Sequence, residues 1–126
     1  MSLAVSVLIA DDSKLLRTIL RRHLGGQPDI LVVGEASDFS EAVQLAVRRR
    51  PDVVLLDLYM KDSQGLEASI AGAKLIETGT IILAISFSND EATQALASQI
   101  GAVRLLDKMN LFAELTPTLL SLKISR

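Results

Sequence analysis

Five short apolar runs punctuate this chain, and between them the apolar residues recur at helical spacing. That alternation restricts the fold to an α/β layer structure on a parallel sheet, because parallel neighbours must be joined by crossover connections, usually helices. Strands are expected at residues 5–10, 30–33, 53–56, 80–85 and 103–106. Val53-Val54-Leu55-Leu56 is apolar throughout, as suits a central strand covered on both faces. The first helix is expected from Ser13 to about Leu24, with Leu15, Leu16, Ile19, Leu20 and Leu24 at helical spacing and Gly25-Gly26 ending it. Asp38 reads as the N-cap of the second, with Glu41 completing a capping box and Ala42, Leu45 and Ala46 facing the sheet. That helix ends in Arg48-Arg49-Arg50 before Pro51, which cannot continue it. A third helix is expected at 66–77, a fourth from Asn89 or Asp90, and a fifth at 111–122, where Pro117 calls for a kink or a late start. Five βα units fill 126 residues, so one domain spanning 1–126 is expected.

Four of the five strands deliver chemistry to their carboxyl ends. The first stops at Asp11-Asp12, the third at Asp57, the fourth at Ser86, and the fifth at Asp107-Lys108. In an open parallel sheet, ligands collect at that edge because it carries the loops and helix N-termini. Strands one and three are neighbours in a doubly wound sheet, which brings Asp11, Asp12 and Asp57 together. Three hard carboxylate donors suit Mg²⁺, which takes one or two carboxylates directly and keeps several waters. With the metal screening its charge, Asp57 can attack phosphorus in line. Lys108 offers an ammonium to one phosphoryl oxygen, and Ser86 offers a hydroxyl to another.

Composition excludes other chemistry. Absence of cysteine removes disulfides and thiolate sites. A net charge of −2 argues against direct nucleic-acid binding, and the apolar runs are too short to span a bilayer. Arg21-Arg22-His23 and Arg48-Arg49-Arg50 sit at helix C-termini, where cations complement the macrodipole.

Leu8-Ile9-Ala10-Asp11-Asp12-Ser13, Pro51-Asp52 through Asp57-Leu58-Tyr59-Met60, Gly65, Ser86 and Lys108 resemble the receiver domain of two-component response regulators. Val33-Gly34-Glu35-Ala36 with Glu41-Ala42 is similar to receivers preceding a helix-turn-helix DNA-binding domain. The resemblance implies one five-stranded parallel sheet in flavodoxin-like order 2-1-3-4-5, with helices on both faces. It implies Asp57 as phosphoacceptor and Asp11, Asp12, Asp57 and the Tyr59 carbonyl as Mg²⁺ ligands. Ser86 becomes the switch hydroxyl and Lys108 the phosphoryl-contacting lysine. The implied donor is a histidine kinase or phosphotransfer protein, and the implied setting is the cytoplasm. An output DNA-binding domain outside this chain and a homodimer formed on phosphorylation also follow from the likeness.

Some positions depart from the pattern: Lys61 follows Met60 where proline is usual, Phe87 follows Ser86 where a small residue is common, and Met109 replaces the proline after Lys108. Leu105 stands where a switching aromatic is frequent. Two alternatives compete with a non-enzymatic switch. A haloacid-dehalogenase-type phosphatase needs a second acid two residues after the nucleophile, where this chain has Tyr59. An unphosphorylated pseudo-receiver has no need of Asp57, Ser86, Lys108 and the acid pair.

Overall fold

The computed structural model describes residues 3–61, 67–122 and 124. Strands β1 (Val5–Ala10), β2 (Ile30–Ala36), β3 (Val53–Asp57), β4 (Ile81–Ser86) and β5 (Arg104–Asp107) alternate with helices α1 (Lys14–Gly25), α2 (Phe39–Arg49), α3 (Ala68–Glu77), α4 (Glu91–Gln99) and α5 (Leu111–Ser121). A 3₁₀ turn, Lys108–Asn110, joins β5 to α5. All four strand pairs are parallel, in the order β2-β1-β3-β4-β5 expected from the sequence.

Side chains alternate across a strand, and here they divide into two cores. Leu8, Ala10, Val54, Leu56, Ile82 and Ala84 point to one face, where Ala42 and Ala46 of α2, Leu75 of α3 and Ala97 of α4 cover them. Val7, Ile9, Val53, Leu55, Leu83 and Ile85 point to the other, under Leu20 and Leu24 of α1 and Leu111, Leu115 and Leu119 of α5. Each fully buried aliphatic side chain contributes about 1.5–3 kcal/mol. The same layering fixes which strand ends lie side by side.

Several boundaries differ from the sequence expectation. β2 runs three residues past Val33, because a register shift opposite Val7/Leu8 absorbs one residue and lets Gly34, Glu35 and Ala36 pair with Leu8, Ile9 and Ala10. Ser13 caps α1 instead of opening it, accepting the Leu16 N–H. Asp38 caps α2 through the Glu41 N–H at 2.8 Å, while the Glu41 carboxylate accepts the Ser37 N–H. α5 starts at Leu111 and continues through Pro117, so there is no late start. The expected opening of the third helix at Leu66, like Gly65, lies outside the described residues. Leu15 and Ile19 of α1, expected on its core stripe, are 70% and 40% exposed. Their destination is the site below.

α3 approaches the end of α4 closely at Gly72, where a Cβ would stand 2.8 Å from both the Ile100 Cβ and its carbonyl oxygen. A backbone carbonyl cannot rotate away. Gly72→Ala gains about 1 kcal/mol in helix propensity, yet overpacking costs about 1–3 kcal/mol. The expected result is a net loss of up to about 2 kcal/mol, read as a lower urea midpoint.

Candidate functional site

β1 and β3 end next to one another, and their terminal acids meet. Asp11 is fully buried. Its N–H donates to the Ala36 carbonyl at 3.0 Å, and its Oδ1 accepts the Ser13 N–H at 2.8 Å. Asp57 is 5% exposed, and its Oδ1 accepts the Tyr59 N–H at 3.1 Å. Asp12 is exposed at the mouth. One carboxylate oxygen from each of Asp11, Asp12 and Asp57 lies within 4.8 Å of the other two.

Lys108, delivered by the turn after β5, reaches between the acids. Its Nζ is 2.7 Å from Asp11 Oδ2 and 3.2 Å from Asp57 Oδ2. The Asp11 contact is a close ion pair, and a carboxylate oxygen with one such partner keeps a second lone pair to offer. Burial pushes the Asp57 carboxyl above the ordinary range, helped by the Asp11 charge; the Tyr59 N–H and Lys108 pull the other way and do not win. Burial opposes the Lys108 charge, but the Asp11 and Asp57 carboxylates outweigh it and raise its pKa. The site therefore holds two buried anions on one shared cation.

Ser86 ends β4, opposite Asp107 in β5. It is buried, and its Oγ accepts the Ser88 N–H at 3.0 Å, so the hydroxyl proton remains to be given. Phe87 is 68% exposed at the rim, with its ring centroid 5.0 Å from Lys108 Nζ, in range for a cation–π contact. The Lys108–Met109 bond, open in the sequence because Met109 replaces proline, is trans.

An open cavity of about 570 Å³ lies over these groups, walled on its apolar side by Leu15, Ile19, Tyr59 and Phe87. The α1 part of that wall, Leu15 and Ile19, was not read from the sequence, although Leu15-Leu16 and Ile19-Leu20 make an apolar stripe wider than one core face needs. Tyr59 carries a second surprise. Its hydroxyl lies 2.6 Å from Oγ1 of Thr93, a fully buried residue in the first turn of α4. A phenol tied there is not poised as the general acid that a phosphatase of the haloacid-dehalogenase type requires.

Three acids, a hydroxyl and a buried lysine thus line one open cavity at the carboxyl edge of a doubly wound sheet. Residues 7–119 match the response regulator receiver domain model, and the chain belongs to that family. It is 40% identical over 111 residues to the transcriptional regulatory protein LiaR of Bacillus subtilis, covering 88% of this chain and 52% of LiaR. It is 38% identical to a protein-glutamate methylesterase/protein-glutamine glutaminase of Anaeromyxobacter dehalogenans, over 88% of this chain and 32% of that protein. The chain thus spans about half the length of one relative and a third of the other. Among solved structures, the signal receiver domain of NarL from Mycobacterium tuberculosis superposes with a TM-score of 0.80 at 29% identity, covering 95% of this chain and 99% of that one. The response regulator domain of Thermotoga maritima CheB gives a TM-score of 0.76 at 31% identity, over 93% and 91% of the two chains.

Proposed function

We propose that this chain, as one domain over 1–126, is a phosphorylation-controlled switch that accepts a phosphoryl group on Asp57. The observation that carries the reading is the shared ammonium: Lys108 holds Asp11 and Asp57 together within reach of Asp12, at the floor of an open cavity. A carboxylate oxygen of Asp57 attacks phosphorus in line, the new O–P bond forms as the donor's P–N bond breaks, and the bonding pair leaves on nitrogen. A phosphohistidine of a kinase or phosphotransfer protein is a donor of this chemistry. The donor set fits Mg²⁺: three hard oxygens are close together, and buried Asp11 Oδ2 keeps a lone pair beyond its Lys108 contact. Held by Asp11, Asp12, Asp57 and the Tyr59 carbonyl, Mg²⁺ would supply charge screening between the acceptor and the incoming phosphoryl oxygens. Lys108 then serves a phosphoryl oxygen, and Phe87 and Tyr59 limit the approach of water.

The signal leaves through the β4–α4 loop. A phosphoryl group brings about −1.5 to −2 charge and strong acceptor oxygens, and the Ser86 hydroxyl is a nearby donor. Turning it toward the phosphoryl group gives up the Ser88 N–H bond and frees the loop from Phe87 to Asp90. Asp90 caps α4 by accepting the Thr93 N–H at 2.9 Å, and Thr93 is the residue tied to Tyr59. Motion of the acceptor loop and of the Ser86 loop therefore converges on the first turn of α4. Leu105, partly buried against the core, has no ring to re-orient and offers little differential free energy between two states.

LiaR is a transcriptional regulatory protein about twice as long as the matched stretch, which supports a DNA-binding output supplied by sequence outside this chain; pairing of two copies on phosphorylation is part of the same proposal. A cytoplasmic setting suits such a regulator, and among the described residues no helix is long and apolar enough to cross a membrane. Ser86→Ala tests the relay. It is expected to take up a phosphoryl group from a small phosphodonor in Mg²⁺ while losing most of the amide shift changes across residues 86–96. A wild-type pattern of shifts in the alanine variant would reduce Ser86 to a strand terminator.

A further inference from the structure

Next to the acid pair stands a cluster that the phosphoryl chemistry does not use. Arg17, in the first turn and a half of α1, is only 14% exposed. Its Nη1 donates to the backbone carbonyl of Asp11 at 2.7 Å, and its Nε donates to Glu35 Oε1 at 3.2 Å. Glu35 sits on β2 where that strand pairs with Ile9, and its other oxygen accepts from Arg21 Nε at 2.7 Å. One guanidinium thus bridges three elements: α1, the β1–α1 junction and β2.

The carbonyl it holds belongs to the peptide plane between Asp11 and Asp12. Asp11 is pinned at its N–H by Ala36, at Oδ1 by Ser13 and at Oδ2 by Lys108, so its own side chain has little freedom. Asp12 has none of those restraints and is exposed. Its direction depends on the plane of the preceding peptide, and Arg17 fixes that plane. We infer that Arg17 is a positioning residue for the metal acids: by clamping the Asp11 carbonyl it aims the Asp12 carboxylate at Asp57. Outer-shell partners of this kind set the orientation of metal ligands. Glu35 offsets only one of its two arginine partners, so the cluster keeps one net positive charge close to the metal acids.

The inference rests on the metal reading above, and its sign separates it from simple electrostatics. Deleting a positive charge near a cation site should tighten cation binding; losing a positioning strut should weaken it. Calorimetric titration of Mg²⁺ into the folded protein, without phosphodonor, decides the matter. Arg17→Ala is expected to weaken Mg²⁺ binding about 10-fold or more. Arg21→Ala, which loses the Glu35 contact and never touched the Asp11 carbonyl, is expected to stay within about twofold of wild type by the same outer-shell argument. Unchanged or tighter binding by Arg17→Ala overturns the proposal, as does an equal loss in Arg21→Ala. Should the alanine variant fail to fold, Arg17→Lys serves, since an ammonium cannot bridge carbonyl and carboxylate as the fork does; several-fold weaker binding supports the clamp and wild-type affinity overturns it. Asp12→Asn is the reference. If wild type does not bind Mg²⁺, both the metal reading and the clamp fall. If wild type binds, Asp12→Asn does not, and Arg17→Ala binds as wild type, only the clamp falls.

Discussion

Lys108→Ala is expected to lower stability at neutral pH by about 3–5 kcal/mol, the cost of removing one partner from a buried ion pair. Lys108 is almost wholly inside, and it is the counter-charge for two acids that are themselves buried. Alanine leaves Asp11 and Asp57 facing each other without it. The pH dependence follows from the raised Asp57 pKa. Between the ordinary carboxylate range and that raised value, the native state holds more protons than the unfolded chain, so stability falls as pH rises through the window. Without Lys108 the window extends further upward. The deficit should therefore be largest near neutrality and shrink toward acid, where the carboxyls are protonated in both states. Added Mg²⁺ should recover much of the loss, since a ligand at 100 times its Kd stabilises the native state by about 2.7 kcal/mol. Urea melts at neutral and acid pH, with and without Mg²⁺, measure all of this. A loss below about 1 kcal/mol, the scale of an exposed pair, would mean that the lysine is not the charge that holds the acids together.

Asp57→Asn should act in the opposite direction on stability while abolishing acceptor function. Its carboxylate is held above its ordinary range mainly by burial, and that net direction already includes the attraction of Lys108. Neutralising it removes the penalty and leaves Lys108 paired with Asp11. The gain should fall within about 0.5–2 kcal/mol, as for other substitutions that relieve a functional site. It should be present at neutral pH and vanish below the ordinary carboxylate range, where wild-type Asp57 is itself protonated. Mass spectrometry should find no phosphoryl uptake by this variant from a small phosphodonor in Mg²⁺. A less stable variant would show that Asp57 contributes a net favourable ion pair, contrary to the electrostatics described above.

Much of this was legible in the sequence, for reasons that also mark the limit. Strands β1, β3 and β4 announce themselves because they are apolar and end abruptly at Asp11, Asp57 and Ser86. The sheet order then brings those ends together without any knowledge of side-chain conformation. What stayed hidden depends on side chains reaching between elements far apart in the chain. Tyr59 meets Thr93 across 34 positions, and no local pattern marks either residue as a partner. Nothing local in the sequence marks Arg17, although it spans to the Asp11 carbonyl and to Glu35. The second strand was expected to end at Val33, yet a register shift carries it on to Ala36 and delivers Glu35 to the arginines. Leu15 and Ile19 fitted a helical stripe, and only the three-dimensional packing reveals that the stripe is wider than the core.

Chemical trapping tests whether the phosphoryl group resides on one carboxylate, Asp57. After incubation with Mg²⁺ and a small phosphodonor, borohydride reduces an acyl phosphate and converts an aspartyl phosphate to homoserine, which peptide sequencing by mass spectrometry locates. The expected result is homoserine at position 57 alone, and none when Mg²⁺ is chelated. Homoserine at position 11 or 12, a stable phosphoryl group on a serine or on His23, or no incorporation with Mg²⁺ present would contradict it.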